Sequence, residues 1–109
     1  MLKISALLFD LDGTVYRGEQ AIEGASEFIK SLSIPYLFVT NRGNRKPETV
    51  AKQLRAMGID CEKSDVLTSA QALGDYLKTP SSAYCIGEEG LSSALMDCGI
   101  TISEKNPDY

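Results

Sequence analysis

The segment Phe9-Asp10-Leu11-Asp12-Gly13-Thr14 directly follows the apolar run Ile4-Ser5-Ala6-Leu7-Leu8-Phe9. A short apolar run ended by a polar, glycine-containing cluster suits a buried strand. In parallel α/β sheets, ligands bind beyond the carboxyl ends of the strands, and Asp10 stands at such an end. Two carboxylates with one residue between them can converge on one site if the chain turns there. Gly13 permits that turn. On average residue frequencies, Asp-x-Asp-Gly-Thr arises by chance in about one in a thousand chains of this length.

Outward from this segment, strand-like and helix-like stretches alternate. Ala25, Phe28, Ile29 and Leu32 fall at helical spacing. A second compact run, Tyr36-Leu37-Phe38-Val39, follows Pro35 and ends at Thr40-Asn41. Pro47 suits the first turn of a helix whose stripe is Val50, Leu54 and Met57, with Gly58 as its stop. Residues 65–68 read as a short extended or turn segment. Ser69 is expected to cap a helix bearing Ala70, Leu73 and Leu77. Ala83-Tyr84-Cys85-Ile86 reads as the third strand. Gly87-Glu88-Glu89 opens a helix lined by Leu91, Leu95 and Cys98, and Gly99 ends it. The tail Glu104-Lys105-Asn106-Pro107-Asp108-Tyr109 carries no recognisable closing element. This order predicts the α/β class, a parallel sheet with right-handed crossovers and helices on both faces, within one domain over 1–109.

Composition narrows the chemistry. The 109 residues are 43% apolar and 24% charged, with 11 Lys+Arg against 15 Asp+Glu and a net charge of −4. Such a chain is a poor candidate for a nucleic-acid binder, which needs a basic face. Without any histidine there is no Ser-His-Asp triad, Cys-His dyad or HExxH zinc site. Acid–base work then falls to carboxylates, Lys, Tyr or Cys. Cys61, Cys85 and Cys98 are odd in number and lack CxxC spacing. That pattern argues against a disulfide framework and for a reducing, cytoplasmic compartment. The cysteines read as buried apolar fillers. The N-terminus lacks the features of a signal peptide, and no run nears the roughly 18 apolar residues of a membrane helix.

The Asp10–Thr14 segment resembles motif I of the haloacid dehalogenase (HAD) superfamily, and Phe38-Val39-Thr40-Asn41 resembles its motif II. Four further stretches are similar to the NagD-like, 4-nitrophenylphosphatase-type subfamily. They are Val15-Tyr16-Arg17-Gly18-Glu19, Ile22-Glu23-Gly24-Ala25, Thr40-Asn41-Arg42-Gly43-Asn44 and Ile86-Gly87-Glu88-Glu89-Gly90-Leu91. The resemblance covers essentially the whole chain. It implies a partial Rossmann-like, three-layer α/β/α core and phosphate monoester hydrolysis through an aspartyl-phosphate. It makes Asp10 the nucleophile and Asp12 the acid and base. Thr40 and Asn41, with Leu11 and Gly13, are placed at the phosphate. Mg²⁺ is expected on Asp10 and the Asp12 carbonyl, where the donors are hard oxygens. The substrate expected is a small phosphorylated metabolite.

The departures matter equally. The family's motif III lysine and motif IV acidic cluster lie on later strands, and a cap domain between motifs II and III supplies specificity. None is recognisable here, so the chain resembles the N-terminal, truncated portion of a protein of about 250 residues. Lys78 and Glu88-Glu89 superficially mimic the missing groups. They read instead as a solvated helix end and first-turn acids favoured by the helix dipole. Arg42, Arg45 and Lys46 form a basic cluster, either an anion or cap contact or a solvated loop. Tyr16 and Arg17 are either substrate contacts or packing residues.

Three rival classes deserve comparison. An EF-hand register gives Asp10, Asp12, Gly13 and Glu19 sensible positions, but fails at Leu8 and needs a helix where a strand is read. A receiver-like phosphoacceptor domain needs adjacent acids after its first strand, whereas these alternate. A dinucleotide-binding half lacks GxGxxG. The last alternative is an inactive fragment. Without strands on its far side, Ile4–Phe9 becomes an open apolar edge that pairs with another chain as a homo-oligomer.

Overall fold

Pro35 sets where the first strand can begin. In the computed structural model, which describes residues 2–109, β1 covers Leu7–Asp10 rather than the expected 4–9. The Leu7 N–H donates to the Pro35 carbonyl at 3.0 Å. Proline has no N–H to return, so the ladder stops there. β2 (Tyr16–Arg17) and β3 (Gln20–Ala21) form a small antiparallel hairpin that the sequence did not announce. Gly18, with φ +62°, turns it. α1 covers Ala25–Lys30, β4 Tyr36–Thr40 and α2 Pro47–Ala56. A 3₁₀ turn at Lys63–Asp65 leads into β5, Val66–Thr68. Then come α3 (Ser69–Tyr76), β6 (Ser81–Ala83), α4 (Glu89–Asp97) and β7 (Ile100–Ile102).

The expected α/β class and parallel pairing are present. β1 and β4 run parallel, with Leu7 opposite Tyr36 and Asp10 opposite Val39. The strand order is β1-β4-β5, so the third strand of this sheet is Val66–Thr68. The expected third strand at 83–86 is shifted to Ser81–Ala83. It pairs in parallel with β7 in a separate two-stranded sheet, Ser81 opposite Ile100 and Ala83 opposite Ile102.

The chain groups into two compact units. One comprises the residues up to Thr40 with Pro47–Leu67; the other comprises Asn41–Lys46 with Thr68–Tyr109. The first is built on Leu11, Phe38, Leu54 and Ile59, all at most 1% exposed. Phe9, Tyr36 and Phe38 meet edge-on or tilted, with ring centroids 5.5–6.1 Å apart. α2 buries Val50, Ala51 and Leu54 at the expected helical spacing. Gly58 ends it with φ +84°.

In the second unit α3 and α4 pack closely. A Cβ on Gly74 would stand 2.7 Å from Cys98 Sγ, so a side chain there would have to displace Cys98. The α3 cap is Thr68, not Ser69. Thr68 Oγ1 accepts from the Gln71 N–H at 3.2 Å, and Gln71 Oε1 accepts from the Thr68 N–H at 2.8 Å. That reciprocal pair is a capping box. The tail does close on the unit. The Tyr84 N–H donates to the Tyr109 carbonyl, and Asp108 Oδ2 accepts from the Ser82 N–H at 2.8 Å. The Ser103 N–H takes the Ala83 carbonyl, so Ala83 faces β7 and these tail bonds lie on the other edge of β6.

Cys61 is buried in the first unit, and burial pushes its thiol up to about 11, with the Asp65 carboxylate adding to the effect. The unfolded chain releases this proton near pH 9, whereas the folded chain holds it. Stability tied to the neutral thiol is therefore intact below pH 9 and drains as the pH climbs toward 11. Urea midpoints followed from pH 8 to 11 are expected to fall, and less so in Cys61→Ala.

Candidate active site

Leu11 builds the site. Its side chain is fully buried, and its carbonyl accepts from the N–H groups of Thr14, Val15 and Tyr16 at 3.1, 2.9 and 3.3 Å. The residues on either side, Asp10 and Asp12, are exposed. One buried side chain thus holds two carboxylates at the surface end of β1. Gly13, at φ +80°, turns the chain, and its N–H donates to the Tyr16 carbonyl at 2.8 Å. Gly13 therefore serves the turn, and its N–H is engaged there. Thr14 Oγ1 lies 3.5 Å from Asp10 Oδ2, the long limit of a hydrogen bond.

The parallel register brings β4 to the same end. Asp10 stands opposite Val39, and Thr40, 4% exposed, follows at the last position of β4. Asp10, Asp12, Leu11, Gly13 and Thr40 thus belong to one end of one unit. Tyr16 is 2% exposed and belongs to the core, whereas Arg17 is exposed. The strand at Leu7–Asp10 also removes the EF-hand reading, which needs a helix there.

Asn41 is the next residue, exposed, and counted in the second unit. Its carbonyl accepts from the Gly43 N–H at 2.8 Å and from Ser69 Oγ at 3.1 Å. Glu88 stands at the N-cap of α4 and Glu89 opens its first turn, as expected, and both also have partners: Asn44 Nδ2 donates to Glu88 Oε2 at 3.2 Å, and Lys46 Nζ pairs with Glu89 at 2.8 Å. This pairing raises the Lys46 pKa and lowers that of Glu89, chiefly through their mutual hydrogen bond. Nothing in the linear sequence pointed to Ser69 as a partner of Asn41, which lies 28 residues away.

As a metal site, the Asp10–Asp12 pair offers hard oxygen donors in an exposed turn. Mg²⁺ suits such a pair, since it keeps several waters and takes one or two protein carboxylates. Among the described residues no group of three His, Cys, Asp or Glu side chains is placed to hold a metal. Among those same residues no helix is long and apolar enough to cross a membrane.

This arrangement, with acids alternating after a first parallel strand and a Thr at the end of its neighbour, is that of a hydrolase core. The chain belongs to the haloacid dehalogenase-like hydrolases, whose family model matches residues 7–101. It is 42% identical to an acid sugar phosphatase of Staphylococcus aureus, across all of this chain and 45% of that protein. NagD from Escherichia coli superposes with a TM-score of 0.92 and 30% identity, over 99% of this chain and 45% of NagD. A glycerol phosphate phosphatase of Mycobacterium tuberculosis, solved in complex with magnesium, gives 0.87 and 33%, over 95% of this chain and 34% of that one. The NagD-like resemblance read from the motifs is thus met, and the fold is a partial Rossmann-like HAD core. The chain spans less than half the length of the relatives it matches.

Leu11 and Gly13 can be tested apart. Leu11→Ala is expected to cost about 2–5 kcal/mol, as truncation of a buried leucine does. Gly13→Ala meets open space, with nothing within 4 Å of the added Cβ. It is expected to cost about 1–2 kcal/mol from the positive φ alone. Urea denaturation of both variants measures the difference.

Proposed function

We propose that this chain carries the nucleophile half of a Mg²⁺-dependent phosphate monoester hydrolase acting on a small phosphorylated metabolite. It represents the N-terminal portion of a HAD-type core, with motifs I and II in residues 1–109. The observation that carries this reading is the pair of exposed carboxylates, Asp10 and Asp12, flanking the buried Leu11 at the carboxyl end of β1. A reducing, cytoplasmic setting suits the three free cysteines.

In this reading an Asp10 oxygen forms a bond to phosphorus as the bond to the leaving oxygen breaks. Asp12 gives that leaving oxygen its proton. Asp12 then takes a proton from water, whose oxygen attacks phosphorus, and inorganic phosphate leaves with Asp10 restored. Thr40, Asn41 and the Leu11 main chain hold the phosphoryl oxygens. Mg²⁺, when held by Asp10 and the Asp12 carbonyl, screens the repulsion between carboxylate and phosphate. Hydrolysis of 4-nitrophenyl phosphate with MgCl₂ tests the proposal. Asp10→Asn is expected to abolish turnover, and Asp12→Asn to lower it by about 10²–10⁴-fold, the usual share of general acid–base catalysis. Unchanged turnover in Asp10→Asn would overturn the assignment. If turnover is undetectable, Mg²⁺ with orthovanadate must still raise the melting temperature in an Asp10-dependent way for the reading to stand.

A second reading rests on a different observation. β1 takes the outer place in the order β1-β4-β5, and its Leu8 is 72% exposed. An open apolar edge of this kind pairs with another strand, here that of a second copy. Gel filtration is expected to show a species larger than the monomer that shrinks on dilution, and Leu8→Lys is expected to leave monomer only. A dilution-stable monomer in the unaltered chain would remove this reading.

A further inference from the structure

The segment Asn41–Lys46 leaves the end of β4 yet is counted with Thr68–Tyr109. Its contacts within that unit explain why. Asn44 Nδ2 donates to Glu88 Oε2 at 3.2 Å, and Lys46 Nζ pairs with Glu89 at 2.8 Å. Ser69 Oγ donates to the Asn41 carbonyl at 3.1 Å. The tightest constraint is steric. A Cβ on Gly90 would lie 2.4 Å from the Asn44 carbonyl carbon, 2.5 Å from its oxygen and 2.7 Å from the Arg45 nitrogen. Real Cβ atoms do not approach backbone so closely, so any side chain at position 90 must push the segment away.

Packing alone does not hold the segment. Asn41, Gly43, Asn44, Ser69 and Glu88 border an open cleft of about 350 Å³. Asn41, Arg42, Asn44 and Lys46 are exposed. A segment standing over open space keeps one shape only through directed contacts. The hydrogen bond and the ion pair are each weak at an exposed site. Together with the Gly90 contact they tie three successive residues, Asn44, Arg45 and Lys46, to the first turn of α4.

We propose that Asn44, Glu88, Glu89 and Gly90 are positioning residues that dock the Asn41–Lys46 segment on the start of α4 and thereby set where Asn41 stands. The proposal rests on the reading of Asn41 as a phosphate ligand, and deepens it. It gives Glu88, Glu89 and Gly90 an indirect part in binding, through Asn41. A ligand amide held in place binds more tightly than one that must be ordered on binding.

Hydrogen exchange on this chain tests the docking directly. Gly90→Ala is expected to speed exchange of the 41–46 amides about tenfold or more. The amides of Leu91–Leu95 serve as the control for α4 itself and are expected to stay protected. Because Gly90→Ala can unsettle the whole unit, a gentler pair follows. Lys46→Glu is expected to speed exchange at 41–46 about two- to fivefold, in keeping with an exposed pair. The swap Lys46→Glu with Glu89→Lys is expected to restore it, which loss of general stability would not do. Affinity for orthovanadate with MgCl₂ is expected to fall in parallel, and to recover in the swap.

Asn41→Ala separates the two ideas. If it leaves vanadate affinity unchanged, the phosphate reading of Asn41 fails, while exchange still decides the docking. If Asn41→Ala weakens affinity but Gly90→Ala and Lys46→Glu change neither exchange nor affinity, the positioning proposal is overturned.

Discussion

The burial of Leu11 is the constraint on which the site depends. Its side chain sits in the core while its carbonyl takes three successive N–H groups. The first fact pins the backbone at the end of β1, and the second bends it back on itself. With Leu11 inward, the residues before and after it must face outward. Asp10 and Asp12 are therefore brought to one end of the sheet by an apolar residue that does no chemistry. Both acids are exposed, so water reaches them.

The second constraint is the parallel register of β1 with β4. Placing Asp10 opposite Val39 puts Thr40 at the same end. A one-residue slip would turn the β4 side chains to the other face and remove Phe38 from the core. The aromatic contacts of Phe38 with Phe9 and Tyr36 thus guard the register as well as the core. Site geometry and hydrophobic packing in this unit are one arrangement, so core substitutions here carry functional consequences.

The second unit shows how close approach, rather than apolar area, organises a small structure. Gly74 lets α3 meet Cys98, and Gly90 lets α4 meet the Asn44–Arg45 backbone. The sheet of β6 and β7 is short, and the tail closes on Ser82 and Tyr84 by main-chain and carboxylate bonds. Exposed Tyr76, Tyr84 and Ile86 leave apolar surface on this unit.

Much of this was legible in the residues themselves. Asp10, Asp12, Gly13, Thr40 and Asn41 mark the family because their spacing at strand ends is local chemistry, written in consecutive residues. The α2 stripe and its Pro47 and Gly58 limits were equally readable, since helical periodicity and capping are short-range. Other features needed the folded chain. Pro35, just before β4, delayed the start of β1, and the tail at Asp108–Tyr109 closed on the edge of β6 away from β7. The capping of α3 by Thr68 required its Oγ1 to face Gln71. The ties of Glu88, Glu89 and Gly90 to residues 44–46 span more than forty positions. Which groups could do chemistry was written in composition and local spacing, because these limit what each strand end can offer. Which contacts hold those groups was settled by folding, because long-range partners are chosen by packing and carry no mark in the order of the chain.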